Sequence, residues 1–101
     1  MFKPLDPILH SQLRLAIIAI LAGVEAADFV YLKDKTNASA GNLSLQLSKL
    51  QEVAYISIEK GFNGKYPKTT CAITVAGNLA YANYIDALKE YISPLTPFTT
   101  P

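Results

Sequence analysis

The chain reads as three apolar stripes of helical period, a short stretch of period two, and a fourth helical stripe. The first stripe holds Ile8, Leu9, Leu13, Leu15, Ile17, Ile18, Ile20 and Leu21. Asp6 followed by Pro7 predicts its start, because a carboxylate accepts from free amides and proline fits the first helical position. The second half of this helix is apolar nearly all round, whereas the surface helix of a monomer needs one stripe. A second subunit is one way to cover the other side. Gly23 weakens the helix near its end. Asp28 predicts the cap of a short helix over 29–35, with Phe29 and Leu32 inward. Thr36, Asn37 and Ala38 read as a turn, and Ser39 as the cap of a third helix over 40–54. There Leu43, Leu47, Leu50 and Ala54 recur at i, i+4, i+7 and i+11, an inward stripe.

The period then changes to two. Ile56 and Ile58 alternate with polar residues, which predicts a strand. Asn63-Gly64 accepts the positive φ that a hairpin turn requires. A return strand over 68–73 carries Cys71 and Ile73 on one face. Pro67 lacks a ladder donor and belongs where the strand edge is free. Thr74 predicts the cap of a final helix over 75–92, in which Leu79, Ala82, Ile85, Leu88 and Ile92 form one stripe that Tyr81, Tyr84 and Tyr91 widen. Pro94 ends it. The order is that of an α+β, mostly α chain: a three-helix core with a helix-turn-helix, a two-stranded wing, and a C-terminal helix. The predicted division is a winged domain over 1–92 and a Pro/Thr-rich tail over 93–101, extended and poorly ordered.

Composition narrows the function. At 101 residues and 50% hydrophobic, the chain is one domain with a modest core. Its net charge of +1 excludes a polycation, so a nucleic-acid partner must meet a local basic face. Residues 33–70 supply one, with six lysines against three acids. The single cysteine, Cys71, excludes an intrachain disulfide and points to a reducing, cytoplasmic setting. One His and one Cys build no structural zinc site, and no cofactor motif is present. The longest apolar run, 15–24, is about half a membrane span. No membrane partner is expected. No Ser/His/Asp set or carboxylate pair suggests an enzyme, and Gly64-Lys65 lacks the spacing of a phosphate-binding loop.

The candidate chemistry lies on the third helix and the wing. Asn42 and Gln46 on the flanks suit bidentate contact with adenine, and Lys49 suits guanine or phosphate. Lys60, Lys65 and Lys68 cluster around the turn, where cations release counterions from DNA. His10 has no Cys, His or acid pair near it in sequence and reads as an exposed or interface histidine. Cys71 reads as a half-buried inert thiol.

The stretch Gly41-Asn42-Leu43-Ser44-x-x-Leu47-x-x-Leu50, followed by Ala54-Tyr55-Ile56-x-Ile58-x-Lys60-Gly61-Phe62-x-Gly64-x-x-Pro67-Lys68-Thr69-Thr70, resembles the small winged-helix transcriptional regulators related to the MarR and ArsR repressors. His10, Arg14-Leu15 and Ile18, and Ile73-Thr74-x-x-Gly77, fit the same pattern, so the likeness spans about residues 5–92. The resemblance implies homodimers on double-stranded DNA, with the third helix in the major groove and the wing near the minor groove. Carried over by position, Ser39, Asn42, Ser44, Leu45, Gln46, Ser48 and Lys49 would belong to the helix contact, and Lys65 and Lys68 to the wing contact. Dimerisation would use the first and last helices, through Leu13, Ile17, Ile20, Leu21, Tyr81, Tyr84, Ile85 and Leu88. Relatives often carry an acid at the position of Ala40, a base near Leu45 and an arginine at Asn78. The resemblance leaves room for a small-molecule effector, which no residue pattern identifies. The other function class is a winged-helix protein-interaction module that has lost its DNA.

Overall fold

The computed structural model describes residues 2–93. The elements run α1 (Gln12–Ala22), β1 (Ala27–Asp28), α2 (Phe29–Thr36), α3 (Ala40–Glu52), β2 (Ile56–Asn63), β3 (Tyr66–Ile73) and α4 (Val75–Ile92). Three helix starts are capped as their residue types dictate. Asp28 accepts from the Tyr31 amide at 2.8 Å, Ser39 from Asn42 at 3.2 Å and Thr74 from Gly77 at 3.0 Å. The tail expected after the last helix lies, beyond Ser93, outside the described residues.

The first helix begins later than expected. Asp6 does accept an amide, that of Ile8 at 2.8 Å, but the turn it starts closes on itself through His10 N–H and the Asp6 carbonyl. Helix α1 starts afresh at Gln12. The second oxygen of Asp6 is held by the Tyr55 hydroxyl at 2.6 Å, which pushes the Tyr55 pKa up to about 12. A long-range partner thus competes with helix continuation at this end.

Part of the all-round apolar face of α1 has an intrachain cause. Ile17, Ile18 and Leu21 are fully buried, and α1 touches α2, α3, β3 and α4 of its own chain. It is the central helix of the protomer, and Leu32, Leu43, Leu47, Leu50, Ile56 and Cys71 join it in one core. Alongside, the N-terminal segment lies on the end of α4. Phe2 stacks on Tyr91 with ring centroids 4.7 Å apart, and Lys3 donates its amide to Glu90 at 2.6 Å.

The sheet has three strands in the order β1-β3-β2. The two residues of β1 pair with Cys71 and Thr70 of β3; a strand so short leaves no periodic signal. The hairpin turn sits one residue later than expected. Asn63 pairs with Tyr66, so Gly64 and Lys65 are the central residues, and only Gly64 has positive φ, at 67°. Pro67 lies opposite Phe62, beyond the end of β1, where its missing donor leaves no ladder bond unmade.

Helix α3 ends at Glu52, not at Ala54. Ala54 takes the left-handed conformation, φ 62°, after which Tyr55 N–H bonds to the Leu50 carbonyl at 3.0 Å and Ala54 N–H to Gln51 at 2.9 Å. This is the double hydrogen bond of a Schellman end, with alanine where glycine is usual. Ala54→Gly is expected to stabilise the fold by about 1 kcal/mol, because the left-handed region is costly only for a residue with Cβ. Chemical denaturation checks this; a lower midpoint would show that the Cβ contributes packing that outweighs the strain.

Candidate nucleic-acid interface

Helix α3 buries Leu43, Leu47 and Leu50 and turns its other side to solvent. Ser44, Leu45, Ser48 and Lys49 are all exposed, Leu45 by 53%. Glu52 is the one acid of this helix. Ser39 is exposed as well, but its hydroxyl is engaged as the cap. Asn42 is exposed and Gln46 half-buried, both on the flank that faces α1. Their amides are not free in the way bidentate adenine contact needs. Gln46 Nε2 donates to Asn42 Oδ1 at 3.0 Å, while Gln46 Oε1 accepts from Arg14 Nη1 at 2.5 Å.

The strand register sorts the wing into two faces. Ile56, Ile58, Lys60 and Phe62 share one face with Ile73, Cys71, Thr69 and Pro67. Its inner part covers the core, and its outer part borders α3. There Lys60 and Thr69 line a cleft of about 690 Å³ with Ser44, Ser48 and Gln51. Lys60 is thus the wing lysine nearest the helix, and strand alternation from Ile56 and Ile58 is the signal that places it. Lys68 lies on the opposite face, where Asp28 Oδ2 is 4.0 Å from its ammonium. Asp28, placed by capping α2 and by pairing with Thr70, offsets part of that charge. Lys65 stands exposed at the turn, between Gly64 and the exposed Tyr66.

The residues expected to dimerise divide in two. Ile17, Leu21 and Tyr84 are buried within the single chain, and the Tyr84 hydroxyl lies 3.0 Å from His10 Nδ1. They offer no surface to a partner; they are protomer core. Leu13, Ile20, Tyr81, Ile85 and Leu88 are only partly covered, and Val75 and Leu79 on α4 are exposed.

Cys71 is fully buried rather than half-buried, held in β3 between β1 and β2. Burial pushes its pKa up to about 11, so the thiolate is scarce at neutral pH. Among the described residues, no three His, Cys, Asp or Glu side chains gather as a metal site, and no helix is long and apolar enough to cross a membrane.

Comparison with known proteins agrees with this geometry. The chain is 40% identical over 78 residues to an uncharacterized protein of Methanocaldococcus jannaschii, covering 77% of this chain and 85% of that one. The fold superposes with a TM-score of 0.82 on a transcriptional regulator homologue from Pyrococcus horikoshii, at 24% identity and 89% coverage of both chains. It also superposes on the Mycobacterium tuberculosis regulator MosR solved in complex with DNA, with a TM-score of 0.70 at 11% identity. That match covers 89% of this chain and 64% of MosR. A third solved neighbour is the PcaV transcriptional regulator from Streptomyces coelicolor, with a TM-score of 0.69 at 11% identity, covering 85% of this chain and 65% of that one. Residues 13–92 match the family model described as a winged helix DNA-binding domain, and the chain belongs to that family.

Proposed function

We propose that the protein is a sequence-specific, double-stranded-DNA-binding transcriptional regulator that acts as a homodimer. Helix α3 enters the major groove and the wing approaches the minor groove. The observation that carries this reading is the solvent face of α3. It presents Ser44, Leu45, Ser48 and Lys49 side by side, with Lys60 across the adjoining cleft. Small hydroxyls allow close approach to base edges, Leu45 suits a thymine methyl, and the lysines suit phosphate or guanine. MosR, which shares the fold, is a DNA binder, and this supports the same use here.

The deciding experiment is a fluorescence-anisotropy titration with mixed duplex DNA at two salt concentrations. Binding that weakens as salt rises is expected. Lys65→Ala should make the slope of log K against log salt shallower by roughly 0.9, the value for one phosphate contact. Lys68→Ala should change it less, because Asp28 already shares that charge. Equal slopes for wild type and Lys65→Ala would place the wing tip outside the footprint.

The dimer rests on α4. Val75 and Leu79 expose apolar surface there, and Tyr81, Ile85 and Leu88 are incompletely covered. A stable dimer would bury over ~1,000 Å² in total. Light scattering at micromolar concentration is expected to show particles of twice the 11.0 kDa chain mass. Particles of chain mass alone would overturn the dimer.

The second reading, a protein-interaction module without DNA, draws on the exposed Leu45, Phe62 and Tyr66. An apolar partner would suit them. The same titration separates the two, since a module shows no binding to any duplex even at low salt.

A further inference from the structure

Three side chains link the start of α1 to the flank of α3. Arg14 donates through Nε to the Ile8 carbonyl at 2.6 Å and through Nη2 to the Pro7 carbonyl at 3.5 Å. The backbone turn before α1 therefore fixes the guanidinium. Its Nη1 reaches across to Gln46 Oε1 at 2.5 Å, and Gln46 Nε2 reaches Asn42 Oδ1 at 3.0 Å.

The polarity of this chain is forced. A guanidinium has five N–H donors and no acceptor. The Gln46 atom against it must therefore be the oxygen, which turns the Gln46 amino group toward Asn42. A donor there requires the Asn42 oxygen, which leaves Asn42 Nδ2–H₂ as the outward group. The assignment of oxygen and nitrogen follows from chemistry at one end, not from the amide positions themselves. Asn42 is exposed, while Arg14 and Gln46 are half-buried behind it.

We infer that Arg14 is a positioning residue that sets the hydrogen-bonding polarity of Asn42 and so the base that Asn42 prefers. The inference rests on the reading of α3 as the DNA-facing helix. Asn42 presents donors, which match guanine N7 and O6 or thymine O4, find one acceptor on adenine at N7, and mismatch the cytosine amino group. Gln46 acts behind Asn42 and makes no base contact of its own.

The test is site selection from random duplexes, with side-chain amide exchange by NMR on the free protein. Wild type should enrich guanine or thymine at one position per half-site, roughly tenfold over cytosine. Gln46→Glu keeps an acceptor for Arg14 but offers its second oxygen to Asn42. The Asn42 amide should then flip, and the preference at that position should move to cytosine, the base that offers a donor and no acceptor in the major groove. Arg14→Lys, still a donor without an acceptor, should keep the wild-type base. Arg14→Met should flatten that position while binding to random DNA changes less than about twofold. In the free protein, the Asn42 Nδ2 protons should exchange fast in wild type and slow in Gln46→Glu. Unchanged base preference and unchanged exchange in Gln46→Glu would overturn the inference and leave DNA binding standing. Absence of any enriched duplex for wild type would overturn the functional reading, and the exchange measurement would still decide the polarity of the chain.

Discussion

Gly77→Ala is expected to be the most damaging of the glycine-to-alanine changes in the protein. A Cβ at Gly77 would lie 2.1 Å from the Tyr55 carbonyl oxygen and 2.9 Å from Ile73 Cγ1. The first obstacle is backbone, so no rotamer change relieves it. That carbonyl also accepts the Thr74 amide at 3.1 Å, while the Thr74 hydroxyl donates to the Ala54 carbonyl at 2.6 Å. The clash thus falls on the joint where the end of α3, the start of β2 and the start of α4 are tied together. Overpacking in a well-filled site costs ~1–3 kcal/mol; a contact this short against backbone belongs at the top of that range or above it. Glycine is ordinarily the poorer helix residue by ~1 kcal/mol, so the expected sign is opposite to that of propensity alone. For a domain of this size about 3 kcal/mol lowers the melting temperature by roughly 12–24 °C. Circular-dichroism melts at one fixed protein concentration read it. A melting temperature within two or three degrees of wild type would show that α4 shifts away without loss.

Leu45→Glu should leave stability almost untouched and remove DNA binding. Leu45 is 53% exposed at the middle of the α3 solvent face. Leucine and glutamate have similar helix propensity, and exposed substitutions usually stay within ~0.5 kcal/mol. The new carboxylate would stand one turn from Lys49 and, with α3 in the major groove as proposed, enter the negative potential between the two phosphate backbones, where like charges brought together cost several kcal/mol. A loss of at least about 100-fold in affinity is expected, equivalent to ~2.8 kcal/mol. Anisotropy on the same duplex measures it. A change below threefold would move the DNA to another face of the molecule.

The legible parts of the fold were those written in local chemistry. Asp28, Ser39 and Thr74 each stand where a helix starts, and the Leu43-Leu47-Leu50 spacing states which face of α3 is inward. Long-range partners decided the rest. Tyr55 takes the Asp6 carboxylate, so the first turn does not run into α1. The close approach of α4 at Gly77 goes with the left-handed end at Ala54, and neither leaves a mark in the period of the leucines. The apolar circumference of α1 has two readings, a partner subunit or a central position, and a wheel does not separate them. Its neighbours in the same chain account for Ile17, Ile18 and Leu21, while Leu13 and Ile20 keep open surface.

The same division holds at the site. The solvent face of α3 follows from the wheel, and the nearness of Lys60 to it follows from strand alternation. The engagement of Gln46 does not, because Arg14 lies 32 residues away in sequence. Nor does the partial neutralisation of Lys68, whose counter-charge sits on a two-residue strand.

The burial of Cys71 gives the protein a built-in clock. It is the one thiol in the chain, and it lies in the middle strand of the sheet, so a reagent reaches it when that sheet opens. When closing is faster than labelling, the labelling rate reports the free energy of opening in unmodified protein. A duplex that binds the folded state adds RT ln(1 + [L]/Kd) to that free energy and slows labelling by the matching factor. Any operator would therefore announce itself through a thiol that need not touch it.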